Sequence, residues 1–473
     1  MGRNGNQTVT MRELALEAMI SIVEKGENAT AVMQETLEKY QYLPREDRAF
    51  FKRLTQGTLE HLLELDYLIN QVSKTKVKKM KPVIRNILRL GAYQLKYMDS
   101  VPDRAACNEA VNLAVKKNFH GLRGYVNGVM RSLSRGFADG SLSLPSRDSD
   151  FREWLSIGYS MPLWLCELFE KQYGADTTEK MFQSFGKETF TTLHLVHGKT
   201  TAGAYRRLLC KERETNPYLA ALQVEEAAYF KEQAVRVKGY DLIEDLPGYE
   251  EGVFFVQDES SMLSVAAAYI KPGQTVVDVC ASPGGKSLLA CEYTGSNGLV
   301  YSFDVSARKV ERLNENKERM NYSMMIPQVR NARMPVPYEE QASADVVLAD
   351  VPCSGLGVIG KKADIRYKLK PEGLRSLIDL QREILTNAMT YVKPGGTLLF
   401  STCTVNKEEN EGNVDWILKQ GGFVLNPESL RYLKGLGVAR LPWQEEQIKK
   451  GYLTLIPGIN HCDGFFLASF RKE

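Results

Sequence analysis

The first third of the chain repeats apolar residues at intervals of three and four. In residues 10–26, TMRELALEAMISIVEKG, Leu14, Ala18 and Ile22 recur every fourth position, the spacing of one helix face. Thr10 is placed to cap the start and Gly26 to end it. EDRAFFKRLTQGTLEHLLELDYLINQV, PVIRNILRLGAYQLKYM, ACNEAVNLAVKKN and RGYVNGVMRSL continue the pattern, and no strand-like alternation interrupts them. An all-α domain over residues 1–140 is expected, its last helix ending near Arg135. Residues 136–150, GFADGSLSLPSRDSD, have the Gly, Ser, Pro and Asp of a connector.

Residues 150–250 mix helical stretches (MPLWLCELFEKQYG, PYLAALQVEEAAYFKEQ) with short apolar strands such as TTLHLVHG, which predicts a small α+β domain. From 251 to 473 the pattern becomes strand, loop, helix. TVVDVC, LVYSFDV, ADVVLADVPC and GTLLFSTCTV read as buried strands, and SLLACEY, ARKVERLNENKERM and LRSLIDLQREILTNAMTYV as helices between them. GFFLASF closes the chain. Such alternation predicts an α/β doubly wound, Rossmann-like sheet with ligands bound beyond the carboxyl ends of its strands.

Composition adds limits. At 473 residues, three domains are the expectation, and 43% hydrophobic with 25% charged residues fits a soluble globular protein. The start, MGRNGNQTVTMREL, carries no signal-peptide stretch, and no run approaches the ~18 apolar residues of a membrane span. The eight cysteines form no C-x-x-C pair and no close Cys/His cluster, which argues against a metal site and for free thiols in a cytoplasmic protein. Net charge is only +3, but residues 1–135 hold 22 Lys/Arg against 14 Asp/Glu. Between Lys74 and Lys96 there are eight basic residues and no acidic one, a candidate polyanion-binding face.

The polar residues that stand out fall at predicted strand ends. DVCASPGGKS (278–287) ends like a phosphate-binding P-loop, but Cys280 occupies the position where that pattern needs a glycine. The dinucleotide pattern fails as well, since only Gly284 and Gly285 are present. Two glycines opening a helix let backbone approach a ligand, and Asp304, one strand later, is placed to accept from ribose hydroxyls. That combination suits an adenosine-containing cofactor without pyrophosphate, a description S-adenosylmethionine satisfies. Cys353 and Cys403 at neighbouring strand ends then suggest covalent chemistry on a base. Carbon 5 of cytosine becomes nucleophilic only after a thiolate adds at carbon 6. The reaction needs that thiolate, an acid near ring nitrogen 3 and help with elimination. Cys403, Asp350 and Cys353 can supply the three roles, provided burial raises the Asp350 pKa.

The motifs DVCASPGGKS, ADVPCSGLGV (349–358), STCTVNKEENEG (401–412) and HCDGFFLASF (461–470) resemble those of the NOL1/NOP2/Sun family of RNA cytosine-5 methyltransferases, in the same order. ILRLGAYQLKYMDSVPDRAACNEAVNLAVKK and YVNGVMRSL resemble the NusB-type helical RNA-binding domain. Together the resemblances span nearly the whole chain, and their combination implies a bacterial enzyme acting on small-subunit (16S) ribosomal RNA. They imply Cys403 as nucleophile and Cys353 as the residue of product release, and they place Asp350 between cofactor and base. S-adenosylmethionine would lie against Cys280, Ala281, Ser282, Pro283, Gly284, Gly285 and Lys286, with Asp304 on the ribose. Asn331 stands where the family usually has an Asp at the adenine edge, and Ser282 where alanine is common. Gly360 and Ala363 replace a frequent Arg and Pro, while Lys361, Lys362 and Arg366 keep that segment basic. In a NusB-like setting, Lys74, Lys76, Lys78, Lys79, Lys81, Arg85 and Arg89 become expected RNA contacts. Two other readings fit less of the chain: a transfer RNA cytosine-5 methyltransferase, and a non-catalytic RNA-binding assembly factor.

Overall fold

The computed structural model describes residues 9–473; the first eight, on which the reading of the chain start depends, lie outside the described residues. The chain forms two compact units, one from the residues up to Gly186 together with Ile359–Leu369, the other from Lys187–Val358 and Lys370–Glu473.

The first unit is helical. Its helices run over Met11–Met19, Ala29–Lys39, Arg45–Glu60, Leu62–Val72, Pro82–Tyr97, Asp103–Lys116 and Arg123–Ala138. Thr10 caps the first, its side chain accepting from the Glu13 N–H at 3.2 Å, and a π turn over Ile20–Glu24 precedes Gly26. The Pro82–Tyr97 helix is nearly enclosed, with Ile84, Ile87, Leu88, Ala92 and Tyr93 buried. A Cβ at Gly91 would come within 2.5 Å of Met130 Cε, so glycine there permits the close approach of the Arg123–Ala138 helix. The stretch expected to form a small α+β domain is divided between the units. Its first helices, Phe151–Gly158, Leu163–Tyr173 and Ala175–Phe185, belong to the helical unit, and its strands to the other.

The second unit holds two sheets. Four antiparallel strands, β1 (Thr191–Leu195), β2 (Gln223–Glu226), β3 (Ala234–Lys238) and β4 (Phe254–Val256), are ordered β2-β3-β1-β4. PYLAALQVEEAAYFKEQ, expected as a helix, instead makes a short 3₁₀ turn, strand β2 and a loop. The buried Glu259 carboxylate accepts from the N–H groups of Ala228, Tyr229 and Phe230 at 2.6–3.2 Å. It supplies the acceptors a helix would have provided, and pairing of Val224 with Val237 does the rest.

The larger sheet contains β5 (Thr275–Asp278), β6 (Leu299–Asp304), β7 (Met325–Val329), β8 (Ala344–Asp350), β9 (Val392–Thr402), β10 (Phe423–Leu425), β11 (Tyr452–Leu455) and β12 (Phe465–Lys472). Its order is β10-β12-β9-β8-β5-β6-β7, with β11 against β12. Strands β5 to β9 are mutually parallel, and β10, β11 and β12 add antiparallel pairs. The chain runs outward from β5 to β7 on one side and from β8 to β9 on the other, so the order reverses between β5 and β8. A crevice at their carboxyl ends follows from that reversal.

Candidate active site

The loop after β5 is held by its own polar groups. Asp278 is 1% exposed; Oδ2 accepts from Ser287 Oγ at 2.8 Å, which itself accepts from Ser302 Oγ at 2.9 Å. The Ala281 N–H donates to the Phe303 carbonyl at 2.8 Å, pinning the loop to β6. The Ser282–Pro283 bond is cis. Gly284 has φ +116°, a conformation suited to glycine, and a Cβ there would stand 3.0 Å from Leu313 Cδ2. Gly285 begins the Gly285–Thr294 helix, whose first N–H groups lack intrahelical acceptors. Burial pushes the Cys280 thiol well up from its ordinary value, helped by Asp278, Asp350 and Asp304, so it lines the loop as a neutral group.

Burial also raises the Asp278 carboxyl to about 7, despite the hydroxyl of Ser287 and the charge of Lys286. A folded pKa above the unfolded value means this group favours folding most at low pH, and that contribution disappears as pH rises through about 7. Between pH 5 and pH 8 the loss is about 2–3 kcal/mol. Asp278→Asn is expected to flatten this pH dependence, read by denaturant unfolding at both pH values; an unchanged slope would refute the assignment.

Asp304, at the end of β6, is 5% exposed. It accepts from the Ser282 N–H at 3.3 Å and pairs with Lys309 at 3.2 Å, so the acid of one strand end touches the glycine loop of the previous one. Val305, immediately after it, is 61% exposed. Asn331 lies beyond β7 on the surface, where its side-chain oxygen accepts from the Arg333 N–H at 3.0 Å.

Asp350 joins three strand ends. Lys286 Nζ, from the β5 loop, donates to Oδ2 at 2.7 Å, and Ser401 Oγ, from β9, donates to Oδ1 at 2.9 Å. Lys286 thus reaches across to the strand end that carries Asp350, and its ammonium also lies 5.1 Å from the Phe465 ring centroid. The burial required for a lone Asp350 acid is not found: its side chain is 28% exposed and ion-paired.

Cys353 and Cys403 meet. Their sulfurs are 3.3 Å apart, both residues are half-buried, and the Gly357 N–H donates to the Cys403 carbonyl at 3.0 Å. The hydrogen bond to Cys403 and then burial raise the Cys353 thiol well above its ordinary value. The same network includes residues that sequence reasoning did not single out: Ser401, Gln381, Glu409, Asn410 and Asn413. The polar run NKEEN between a buried strand and a helix was the available signal, since buried polar groups there must bond one another.

In the helical unit, Lys74, Lys76, Lys78, Lys79 and Lys81 are exposed around the Val77–Lys79 turn, whose Val77 and neighbouring Met80 point inward. Arg85 and Arg89 are engaged inside that unit. Arg85 pairs with Glu24, and Arg89, 6% exposed, is held by Asp66 at 2.7 Å through two bonds and by Asn86. Arg366 is likewise occupied: 3% exposed, it donates to the Tyr159 carbonyl at 3.0 Å. The departures nearby have a packing reason. A side chain at Gly360 would meet Phe185 Cα at 3.3 Å, and Ala363 is buried in the helical core.

Comparisons with known proteins agree with this layout. Residues 266–471 match the family described as 16S rRNA methyltransferase RsmB/F, and residues 9–135 match the NusB family. A probable ribosomal RNA small subunit methyltransferase B from Bacillus subtilis (strain 168) is 32% identical, over 98% of this chain and 99% of that protein. One from Synechocystis is 31% identical over 98% of this chain and all of its own length. Among solved structures, PH0851 superposes with TM-score 0.76 at 24% identity over 97% of this chain and 98% of its own, a likeness of fold. NSun6 from Pyrococcus horikoshii with SFG covers 65% of this chain and 97% of its own, with TM-score 0.52 at 17% identity. Among the described residues no helix is long and apolar enough to cross a membrane, and no group of three or more His, Cys, Asp or Glu is arranged to hold a metal ion. With full-length relatives above 30% identity and matched domains at both ends, the chain belongs to the RsmB/F family of 16S rRNA methyltransferases, carrying a NusB-family domain ahead of its methyltransferase domain.

Proposed function

We propose that the chain uses S-adenosylmethionine to methylate carbon 5 of a cytosine in small-subunit ribosomal RNA, through a transient bond from Cys403 to carbon 6 of the base. The observation that carries this reading is the 3.3 Å approach of the Cys353 and Cys403 sulfurs at neighbouring strand ends, with the Lys286–Asp350–Ser401 cluster at those same ends.

The residues around the glycine loop fit the cofactor. Gly284, at φ +116°, turns the loop into the Gly285–Thr294 helix and its free N–H groups, the Asp304 carboxylate is an acceptor for ribose hydroxyls, and exposed Val305 offers an apolar face to an adenine. When bound, S-adenosylmethionine supplies a methyl group on a positively charged sulfur. The protein's own groups do the rest. Cys403 adds as thiolate, and the Lys286 ammonium, oriented by Asp350, neutralises charge developing toward ring nitrogen 3. Cys353 keeps its proton because of its bond to Cys403 and its burial. It therefore remains a donor to the Cys403 sulfur as the carbon 6–sulfur bond breaks; the restored double bond takes its electron pair from the carbon 5–hydrogen bond, whose proton passes to solvent. The base must leave any stack to reach Cys403, which favours an unpaired region of the RNA.

Incubating the protein with 16S ribosomal RNA and labelled S-adenosylmethionine, followed by mapping of 5-methylcytosine, tests the reading. Label in transfer RNA and none in 16S RNA would refute the substrate; label at a position other than carbon 5 would refute the chemistry.

The exposed lysines support a backbone-binding role for the helical unit. Lys78→Ala with Lys79→Ala is expected to reduce the salt dependence of RNA binding by about two counterions while leaving the fold intact. Arg89→Ala, by stranding the Asp66 charge, is expected to cost the helical unit about 3–5 kcal/mol without a corresponding change in salt slope. Filter binding across a salt series, with parallel unfolding curves, separates the two effects; equal slopes for the lysine variant and the parent would exclude the lysines as phosphate contacts.

A further inference from the structure

Glu409 sits in the loop between β9 and the Glu411–Gln420 helix and is fully buried. Its carboxylate collects donors from both cysteine-bearing loops. Oε2 accepts from the Ser354 N–H and from Gln381 Nε2, each at 2.9 Å. Oε1 accepts from Ser354 Oγ, from Asn406 Nδ2 at 3.2 Å and from Thr404 Oγ1 at 3.4 Å. Ser354 and Thr404 are the residues immediately after Cys353 and Cys403, and their hydroxyls also lie 2.7 Å from each other.

The residues before the cysteines are held by the same frame. Gln381 Nε2 donates to the Pro352 carbonyl at 3.1 Å, and Gln381 Oε1 accepts from Asn413 at 2.8 Å. Asn413 in turn donates to the Glu409 carbonyl at 2.8 Å. Asn410 accepts from Thr402 Oγ1 at 2.6 Å and donates to the Thr404 carbonyl at 3.0 Å, spanning Cys403. Each cysteine is therefore gripped on both flanks, and the Glu409 side chain bonds both loops directly.

We propose that Glu409 is a positioning residue that sets the spacing of the Cys353 and Cys403 sulfurs. An ionised carboxylate suits the place because it offers about four lone-pair sites and no competing proton. Glutamine is nearly the same shape but turns an NH₂ group toward N–H donors, so at least one donor is left unmatched in a buried site. Alanine removes every acceptor. Glu409 does not touch the sulfurs, so its effect must appear in how the two loops approach each other. This inference rests on the reading of the two cysteines as the working pair, yet their spacing can be measured without RNA.

Peroxide provides the ruler. Two thiols and one hydrogen peroxide give one disulfide and two waters, with both sulfurs oxidised and the peroxide oxygens reduced. Hydrogen peroxide is added to the full-length protein, and the Cys353–Cys403 linked peptide is followed by mass spectrometry. Single-turnover methyl transfer to 16S ribosomal RNA, RNA affinity, S-adenosylmethionine affinity and melting temperature are measured alongside. Glu409→Gln is expected to slow disulfide formation and single-turnover transfer by roughly tenfold each, with RNA and cofactor affinities within about twofold of the parent. Ser354→Ala, which keeps the main-chain N–H and loses only the hydroxyl, is expected to show a smaller loss in both rates, and stands in should Glu409→Gln fail to fold. Folded variants that form the disulfide at the parent rate overturn the proposal. Should the parent form the disulfide but transfer no methyl group, the proposed function falls while the disulfide rates still decide the role of Glu409.

Discussion

Cys403→Ala is expected to abolish methyl transfer, by on the order of 10⁴-fold or more, while S-adenosylmethionine binds as before. The size of the effect follows from the chemistry. Without a sulfur to add at carbon 6, carbon 5 of cytosine stays part of an aromatic ring, and no neighbouring group replaces that role. The Asp350 oxygens are occupied by Lys286 and Ser401, and Cys353 holds its proton. The cofactor contacts proposed here lie on the β5 and β6 loops, whereas Cys403 follows β9, so binding and chemistry separate. Calorimetry for the cofactor and a methyl-transfer assay on 16S ribosomal RNA read the two independently. Parent-like activity in the variant would dismiss Cys403 as nucleophile, and loss of cofactor binding would place the residue in the wrong site.

The second large effect is expected from Cys353→Ala. Here attack and methylation proceed, but the enzyme stalls as a covalent protein–RNA adduct. At 3.3 Å the Cys353 sulfur lies within donor range of the Cys403 sulfur, and a thiolate leaving a carbon is helped by a proton close at hand. Removing it leaves the departing sulfur without that bond. A slowly migrating, protease-sensitive RNA band on a denaturing gel is the expected signature, dependent on S-adenosylmethionine and absent from Cys353→Ala combined with Cys403→Ala. Free methylated RNA at the parent rate would assign product release to another group.

Much of the fold was legible because its signals are local. Thr10 caps the first helix as its hydroxyl type and position suggest, and ARKVERLNENKERM spans the Ala307–Met320 helix from end to end. The failure at PYLAALQVEEAAYFKEQ is equally physical. Its helical periodicity was real, but Glu259, some thirty residues later, offers the backbone a competing set of acceptors. The basic stretch shows the same limit. Lys74 to Lys81 and Arg85 to Arg89 look alike as charges in a row, yet Glu24 and Asp66, distant in sequence, claim the arginines.

What the sequence determined by itself was the order of elements, the sheet class, the glycine loop, and the two cysteines at strand ends, because each depends on residue type and near-neighbour spacing. What only the tertiary structure decided was which of those groups meet. The 3.3 Å approach of two sulfurs fifty residues apart, the pairing of Lys286 with Asp350, and the gathering of both loops on Glu409 arise from parallel strands brought side by side. Hydrogen bonds and ion pairs act over a few ångströms of space, and distance along the chain carries no record of them.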